Sequence, residues 1–325
     1  MSSATLLGAA ISTGCQTDYL PDGTKANAPI PSKLLAEIEK RKMATGSPIL
    51  LRIFKQEAEL EVWKQDRKCR FHLLKTYPIC KWSGDLGPKI SEGDRQTPEG
   101  FYDVTPGQMN PNSEYFLSFN LGFPNTFDRA HGRSGSHLMV HGDCSSQGCY
   151  AMTDAQIQEI FALGRESFSG GQRSFQVQAY PFRMTPANLA KHRNSPHLPF
   201  WRMLKEGNDH FEVTRQQPAV DVCDKRYVFN AVARAGNTTA INFDRRVSCP
   251  EYDVPQDLAQ AVQEKRSRDD LEFERLVAQG AEMAPITSGR DGGMHPTWVE
   301  KLRPREIVDE RGNLKLIVDK KLKLR

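Results

Sequence analysis

The chain of 325 residues lacks several features that mark common classes of protein. No run approaches the roughly 20 apolar residues that cross a bilayer, and no glycine loop of the phosphate-cradling type is present. The 44 Lys and Arg residues are scattered among 40 Asp and Glu residues, without a basic block. The sequence therefore argues against a membrane-spanning protein and against nucleic acid as a partner. With 38% hydrophobic residues the chain can form a core, so it is a folded protein.

The N-terminus is short of charge. Residues 5–15 (TLLGAAISTGC) form an apolar stretch that ends in small residues and Cys15. This pattern resembles the end of a bacterial lipoprotein signal and predicts lipidation of Cys15, with residues 1–15 as the signal segment. No Lys or Arg precedes the stretch, so an unprocessed cytosolic N-terminus is the alternative.

Cysteine is also sparse, with seven in the chain. They are too few for a disulfide scaffold of this length, but an exported protein can form bridges. The local pairings that we expect are Cys69 with Cys80 and Cys223 with Cys249. Buried free thiols are the alternative for all four.

Periodicity and turn residues divide the chain into segments. Residues 16–47 are predicted to be a linker followed by a short helix, and residues 48–212 to be the main domain. Within that domain the period of two from Ile49 predicts an antiparallel meander, residues 136–140 a strand, and Thr153 the cap of a helix. Residues 213–325 form an extension of unknown role, with a charged helix expected in 255–283.

Residues 138–152 (LMVHGDCSSQGCYAM) are the most informative part of the sequence. A strand leads into His141, a polar loop follows, and Gly148-Cys149 precedes the capped helix. An imidazole and the positive end of a helix both favour a cysteine thiolate. Gly148 would let backbone amides approach a developing oxyanion. Alone, a Cys and a His at this spacing are weak evidence, because free cysteines are often simply buried.

The pattern gains specificity from a family resemblance. His-Gly followed by a loop and Ser-x-Gly-Cys resembles the signature of YkuD-type L,D-transpeptidases, and residues 97–102 (TPEGFY) resemble the segment that precedes it. The similarity is greatest to the YafK-like branch of murein L,D-transpeptidases, and it extends over roughly residues 48–212. Motifs that support this branch are residues 77–80, 93–102, 108–113, 128–133 and 140–144.

The resemblance implies an α+β fold, mainly β, in which a sandwich or barrel is packed with helices and followed by a charged helical extension. It also implies that Cys149 is the nucleophile, that His141 is the base, and that the Gly142 carbonyl orients the imidazole. Ser146 corresponds to the signature serine. Gln147 replaces a histidine that is common in the family, which leaves the subsite at this position open.

The implied substrates are peptidoglycan stem peptides with meso-diaminopimelate, attacked to give a thioester on Cys149. An amine acceptor then gives a transpeptidase, whereas water gives a hydrolase or carboxypeptidase. An outer-membrane lipoprotein or another protein amine is a further acceptor or leaving group in this branch. No cofactor is expected. The expected location is the periplasm, with membrane attachment only through a lipid anchor.

Residues for substrate binding are predicted from side-chain chemistry. Arg129, His131 and Arg133 suit the carboxylates of stem peptides, because Arg binds carboxylate through two parallel hydrogen bonds. Tyr102 could line the donor cleft. The alternatives are a solvated loop for the first three and a core position for the tyrosine.

Two rival functions remain. A zinc site could be assembled from imidazoles and thiolates, although their spacing fits no standard finger; its ligands would come from His131, His137, His141, Cys144 and Cys149. A catalytically inactive wall-binding module is the other rival, and it predicts loss of Cys149 or His141, both of which are present.

Overall fold

The computed structural model describes residues 25–234, 241–287 and 291–302, and the backbone of two further strands up to residue 317. Cys15 and the predicted signal segment lie outside the described residues. The helices are α1 Ser32–Lys40, α2 Thr126–Ala130, α3 Asp154–Ser169, α4 Pro186–Lys191, α5 Leu198–Thr214, α6 Gln256–Ala278 and α7 Pro296–Lys301. In the described part of the chain, no helix has the length and apolar character needed to span a membrane.

In the residues that the structure describes, the strands form two five-stranded sheets and two antiparallel pairs. In chain order they are β1 Ile49–Phe54, β2 Glu59–Gln65, β3 Phe71–Pro78, β4 Lys81–Trp82, β5 Gly100–Val104, β6 Met109–Asn110, β7 Ser118–Asn120, β8 Met139–His141, β9 Tyr150–Ala151, β10 Phe175–Tyr180, β11 Val220–Cys223, β12 Arg226–Phe229, β13 Arg305–Val308 and β14 Leu314–Ile317. The first sheet has the order β3-β2-β1-β10-β5, and the second has the order β4-β9-β8-β7-β6.

The first sheet contains the predicted meander. Strands β1, β2 and β3 pair antiparallel in sequence, and β10 joins β1 in parallel register, with Leu51 opposite Val177. Every residue of β1 is buried, which requires cover on both faces of this strand. Apolar side chains of both sheets and of α3 form one core, to which Leu51, Val140 and Ile157 belong. The mainly β, α+β fold that was predicted is confirmed.

The other face of the first sheet is covered by α5. Arg52 in the centre of β1 is buried, yet its guanidinium is paired with Glu212 of α5 at 2.7 Å. The same guanidinium lies over the rings of Trp63 and Phe211, which shield it from water. A buried charge is tolerated when it is paired in this way. The boundary that we placed at residue 212 falls inside α5.

Residues on both sides of the main domain pack into it. Ala26 and Ile30, within the predicted linker, are buried in the core, and Arg165 of α3 donates to the carbonyl of Ala28 at 3.1 Å. The hairpin of β11 and β12 packs Tyr227 and Phe229 against α5 and β5. The charged helix that was predicted in 255–283 is α6, which packs against α4 and α5.

One predicted disulfide is confirmed and the other is wrong. Cys223 is bonded to Cys249, whereas Cys80 is bonded to Cys144, and Cys69 is a free, exposed thiol. The physical reason is that β3 separates Cys69 from Cys80, because an eight-residue strand extends about 26 Å. The bond that forms instead joins the loop before β4 to the loop after His141.

Candidate active site

Two short parallel strands bring Cys149 and His141 together. β8 and β9 pair with Val140 opposite Tyr150 and His141 opposite Ala151, so Cys149 lies beside Met139. This register places the Cα atoms of His141 and Cys149 roughly 8 Å apart, on neighbouring strands. The backbone N–H of Met139 donates to Cys149 Sγ at 3.4 Å, and the thiol donates to the carbonyl of His137 at 3.5 Å.

The local structure differs from the prediction in two respects. The strand begins at Met139, not at residue 136, because His137 has a positive φ of 54° that breaks the extended backbone. β9 also separates Cys149 from α3, which begins at Asp154 with the predicted Thr153 cap. Cys149 is therefore not at a helix N-terminus, and the helix dipole that we expected to favour its thiolate acts only over the first turn of α3.

The imidazole of His141 is held by its neighbour, as the family resemblance implied. His141 Nδ1 lies 2.6 Å from the carbonyl oxygen of Gly142, which can only accept, so Nδ1 carries the proton and Nε2 is the basic atom. The ring of Tyr115 lies 4.6 Å from the imidazole. A Cβ on Gly142 would stand 2.5 Å from the Asp154 carboxylate and 2.9 Å from the Tyr115 carbonyl, so this position requires glycine.

Burial keeps both reactive groups neutral. It lowers the pKa of His141, an effect that the Gly142 carbonyl and Asp143 partly oppose. Burial likewise raises the pKa of the Cys149 thiol, while the hydrogen bond from Met139 and the charge of Lys89 lower it. A neutral thiol beside a neutral imidazole suits proton transfer during attack, rather than a preformed ion pair.

The loop before Cys149 is fixed by a serine that the sequence analysis missed. Ser83 is buried, and its Oγ accepts from the Gly148 amide at 2.6 Å and lies 2.6 Å from Ser146 Oγ. Ser146 in turn accepts from the Cys149 amide at 3.2 Å and donates to the Cys149 carbonyl at 2.6 Å. The amides that we expected to face an oxyanion are therefore bonded to serine hydroxyls in this structure.

Gly148 occupies a conformation that favours glycine. Its φ is 126°, outside the range that residues with a Cβ adopt readily. Ser83 lies more than sixty positions earlier in the chain, after the two-residue strand β4, and no spacing rule connects it with Gly148. The one signal in the sequence that could have indicated Ser83 was its position shortly after the motif at residues 77–80.

The four residues predicted to bind substrate do not lie together. Arg129 is exposed and lines a cleft of about 660 Å³ together with His137 and Met139, whose backbone contacts the nucleophile. His131 and Arg133 line a separate cavity on the other side of α2. Tyr102 is 1% exposed and lies in the core, where its hydroxyl donates to Asp128 at 3.2 Å.

Their existing contacts limit what these residues can bind. Arg133 is paired with buried Asp128 at 2.8 Å, and its guanidinium contacts the rings of Phe127 and Phe200, so these contacts already occupy it. His131 Nε2 lies 3.0 Å from the carbonyl of Lys225. Arg129 donates to the carbonyl of Pro124, but its side chain is exposed and lines the same cleft as His137 and Met139.

The zinc arrangement finds no geometric support in the described residues. Cys144 is bonded to Cys80, and no three His, Cys, Asp or Glu side chains in that part of the chain are grouped to hold a metal ion.

Comparison of the sequence with known proteins identifies a family whose matched residues include the candidate site. The family model described as the L,D-transpeptidase catalytic domain, YkuD, matches residues 51–167, which contain both His141 and Cys149. YafK of Escherichia coli strain K12, a candidate L,D-transpeptidase by name, is 48% identical over 190 residues, which cover 58% of this chain and 77% of YafK. The same protein of Escherichia coli O157:H7 matches to the same extent. The chain belongs to the YkuD L,D-transpeptidase family.

Among solved structures, the helical cell shape determining protein Pgp2 of Campylobacter jejuni is similar to this member of the YkuD family. The sequences are 16% identical over 59% of this chain and 80% of Pgp2, with a TM-score of 0.34. Bd1075 of Bdellovibrio bacteriovorus is 15% identical, with a TM-score of 0.32, over 58% of this chain and 89% of that protein.

Proposed function

We propose that the chain is a peptidoglycan L,D-transpeptidase that forms a thioester on Cys149 with meso-diaminopimelate-containing stem peptides. The observation that carries the proposal is the pairing of β8 with β9, which places Cys149 beside a histidine whose Nδ1 is fixed by the Gly142 carbonyl. Family membership supplies the class of chemistry. In this proposal Cys149 is the nucleophile and His141 is the base.

The proposed reaction proceeds in two halves. Nε2 of His141 accepts the thiol proton as Cys149 Sγ attacks the donor carbonyl, and the imidazolium then gives this proton to the departing amine. The thioester is next attacked by an acceptor amine, which loses its proton to His141 as the thiolate leaves. Arg129 at the edge of the cleft is proposed to bind a substrate carboxylate.

The test is an incubation of the purified full chain, beside its Cys149→Ala variant, with sacculi, followed by separation of muropeptides by mass. New diaminopimelate cross-links or exchange of D-amino acids, absent with the variant, are the expected result. Loss of cross-linked or lipoprotein-bound species without new bonds would make the protein a hydrolase. No change with either protein would contradict the proposed chemistry.

We also propose that the protein acts in the periplasm and is attached to the outer membrane through lipidated Cys15. The two disulfides support an oxidising compartment, because such bonds are rare in cytosolic proteins. Metabolic labelling with a palmitate analogue is expected to mark the wild-type chain but not Cys15→Ala. Equal labelling of the two would contradict the anchor.

A further inference from the structure

A second cavity lies between α5 and α6, apart from the cleft that Arg129 lines. It encloses about 520 Å³, within the range of sites for small molecules. The short helix α2 separates the two, because Arg129 lines the cleft while Phe127 and His131 line the cavity. We refer to this space as the helical cavity.

The helical cavity has apolar surface on both helices. Phe200 and Met203 of α5 face Ala259 and Val262 of α6 across it, with Phe127 beside them. Such surface favours a ligand with an apolar part.

Some of the charges around this cavity are already neutralised. Lys205 contacts both Asp209 and Asp269, and Lys265 contacts the same two carboxylates, at 3.5 Å and 2.8 Å respectively. These four side chains form a closed group that fastens α6 to α5. They have little capacity left for a ligand.

The remaining charges are available. Arg202 and Arg266 share one carboxylate, that of Asp270, at 3.4 Å and 3.8 Å. Arg226 and Glu206 line the same cavity, and within the described residues neither has a side-chain hydrogen bond or ion pair of its own. Burial raises the pKa of Glu206, whereas the charges of Arg266 and Arg226 lower it.

We infer that the helical cavity binds a short zwitterionic peptide, whose free carboxylate is held by Arg226 with Arg202 or Arg266 and whose free ammonium is held by Glu206. An apolar side chain of the peptide packs between α5 and α6. Guanidinium groups are suited to a carboxylate, while Glu206 would repel a simple polyanion such as phosphate. This binding site is additional to the proposed transpeptidase function, and a peptide can bind there without any reaction at Cys149.

The test uses calorimetric titration of the full-length Cys149→Ala chain, in which no turnover occurs. The probe is the tripeptide Ala-Leu-Ala, compared with its N-acetylated form, its C-amidated form and inorganic phosphate. We expect the free tripeptide to bind about tenfold more tightly than either blocked form, because each block removes one hydrogen bond between charged groups. Phosphate is expected not to bind.

Two variants assign the contacts. Glu206→Gln should abolish the preference for a free amine and retain the preference for a free carboxylate, whereas Arg226→Gln should do the reverse. Glu274→Gln and Arg173→Gln, on exposed side chains away from the cavity, are the matched controls and should leave both preferences intact. Thermal unfolding of each variant would verify that it is folded.

Equal affinity for free and blocked peptides would overturn the inference, as would wild-type affinity in both cavity variants. Absence of binding at millimolar peptide would do the same. Because the titration uses a chain without the Cys149 thiol and contains no sacculi, its failure is distinct from failure of the transpeptidase assay.

Discussion

The hydroxyl of Ser83 offers the sharpest test of how the nucleophile is positioned. Ser83→Ala removes the acceptor of the Gly148 amide, at 2.6 Å, together with the contact to Ser146 Oγ. The site is buried, so water does not readily replace the lost acceptor. The Gly148 amide would keep only its longer contact to Ser146 Oγ, at 3.4 Å. Loss of the short hydrogen bond in a buried site costs about 1 to 3 kcal/mol, and we expect a loss of that size in the free energy of unfolding.

The same change should affect reactivity more than stability. Ser146 holds both the amide and the carbonyl of Cys149, and Ser83 holds Ser146. Releasing this chain of hydrogen bonds lets Cys149 move relative to His141, and displacements near 1 Å can cost on the order of a hundredfold in rate. We therefore expect turnover to fall at least about tenfold.

Urea denaturation measures the loss of stability. Alkylation of Cys149 by iodoacetamide, followed by peptide mass mapping, measures the loss of thiol reactivity without a substrate. Mapping is needed because Cys69 is also a free thiol. Ser91→Ala, on an exposed serine of the same loop, is the control and should change stability by less than about 0.5 kcal/mol. If Ser83→Ala behaves like this control in both assays, the positioning argument is refuted.

Three further predictions concern pH, a disulfide and a buried charge. The acid limb of kcat/KM should lie below pH 6.5, because burial lowers the pKa of His141 from that value and the base stays neutral as the pH falls towards it. Alkylation of Cys149 should still increase above pH 9.0, because burial raises its thiol pKa from that value. Replacing Cys80 and Cys144 by Ala should cost about 4 kcal/mol in urea unfolding, since the bond closes a loop of 64 residues. Lys55→Met should lower the free energy of unfolding by about 3 to 5 kcal/mol in the same assay, because it leaves the fully buried carboxylate of Glu99 without its cation.

Each of the three has its own control. His141→Gln should remove the acid limb, and an acid limb that persists in this variant belongs to another group. Cys69→Ser replaces an exposed free thiol and should leave urea unfolding unchanged. Lys68→Met replaces an exposed lysine, and a loss of stability as large as that of Lys55→Met would show that the buried pair is not the cause.

The sequence predicted the parts of the site that lie close together in the chain. The strand into His141, the polar loop, Cys149 and the Thr153 cap follow one another within the 15 residues from Met139 to Thr153, so their periodicity and caps could be interpreted directly. The meander from Ile49 was predictable for the same reason, since its strands pair with their neighbours in sequence.

Contacts between distant segments could not be predicted. Nothing in the spacing of Ser83 indicates that it meets Gly148, and the pairing of Cys80 with Cys144 depends on how β4 lies beside β9. The arginines near α2 show the same limit at shorter range. Arg129 and Arg133 are four residues apart, yet the end of α2 after Ala130 directs them into different cavities.

The extension also contributes to the catalytic site, although the family match ends at residue 167. Gly293 pairs with Trp82 at the edge of β4, and the Gly292 amide donates to the Gly84 carbonyl at 2.6 Å. The Gly84 amide donates to the carboxylate of Asp291 at 3.1 Å. These bonds hold the two neighbours of Ser83, one on each side, and they cover a sheet edge that would otherwise be unpaired. Since Ser83 fixes Gly148, the order of the loop before Cys149 depends on residues that lie far outside the range 51–167 matched by the family model.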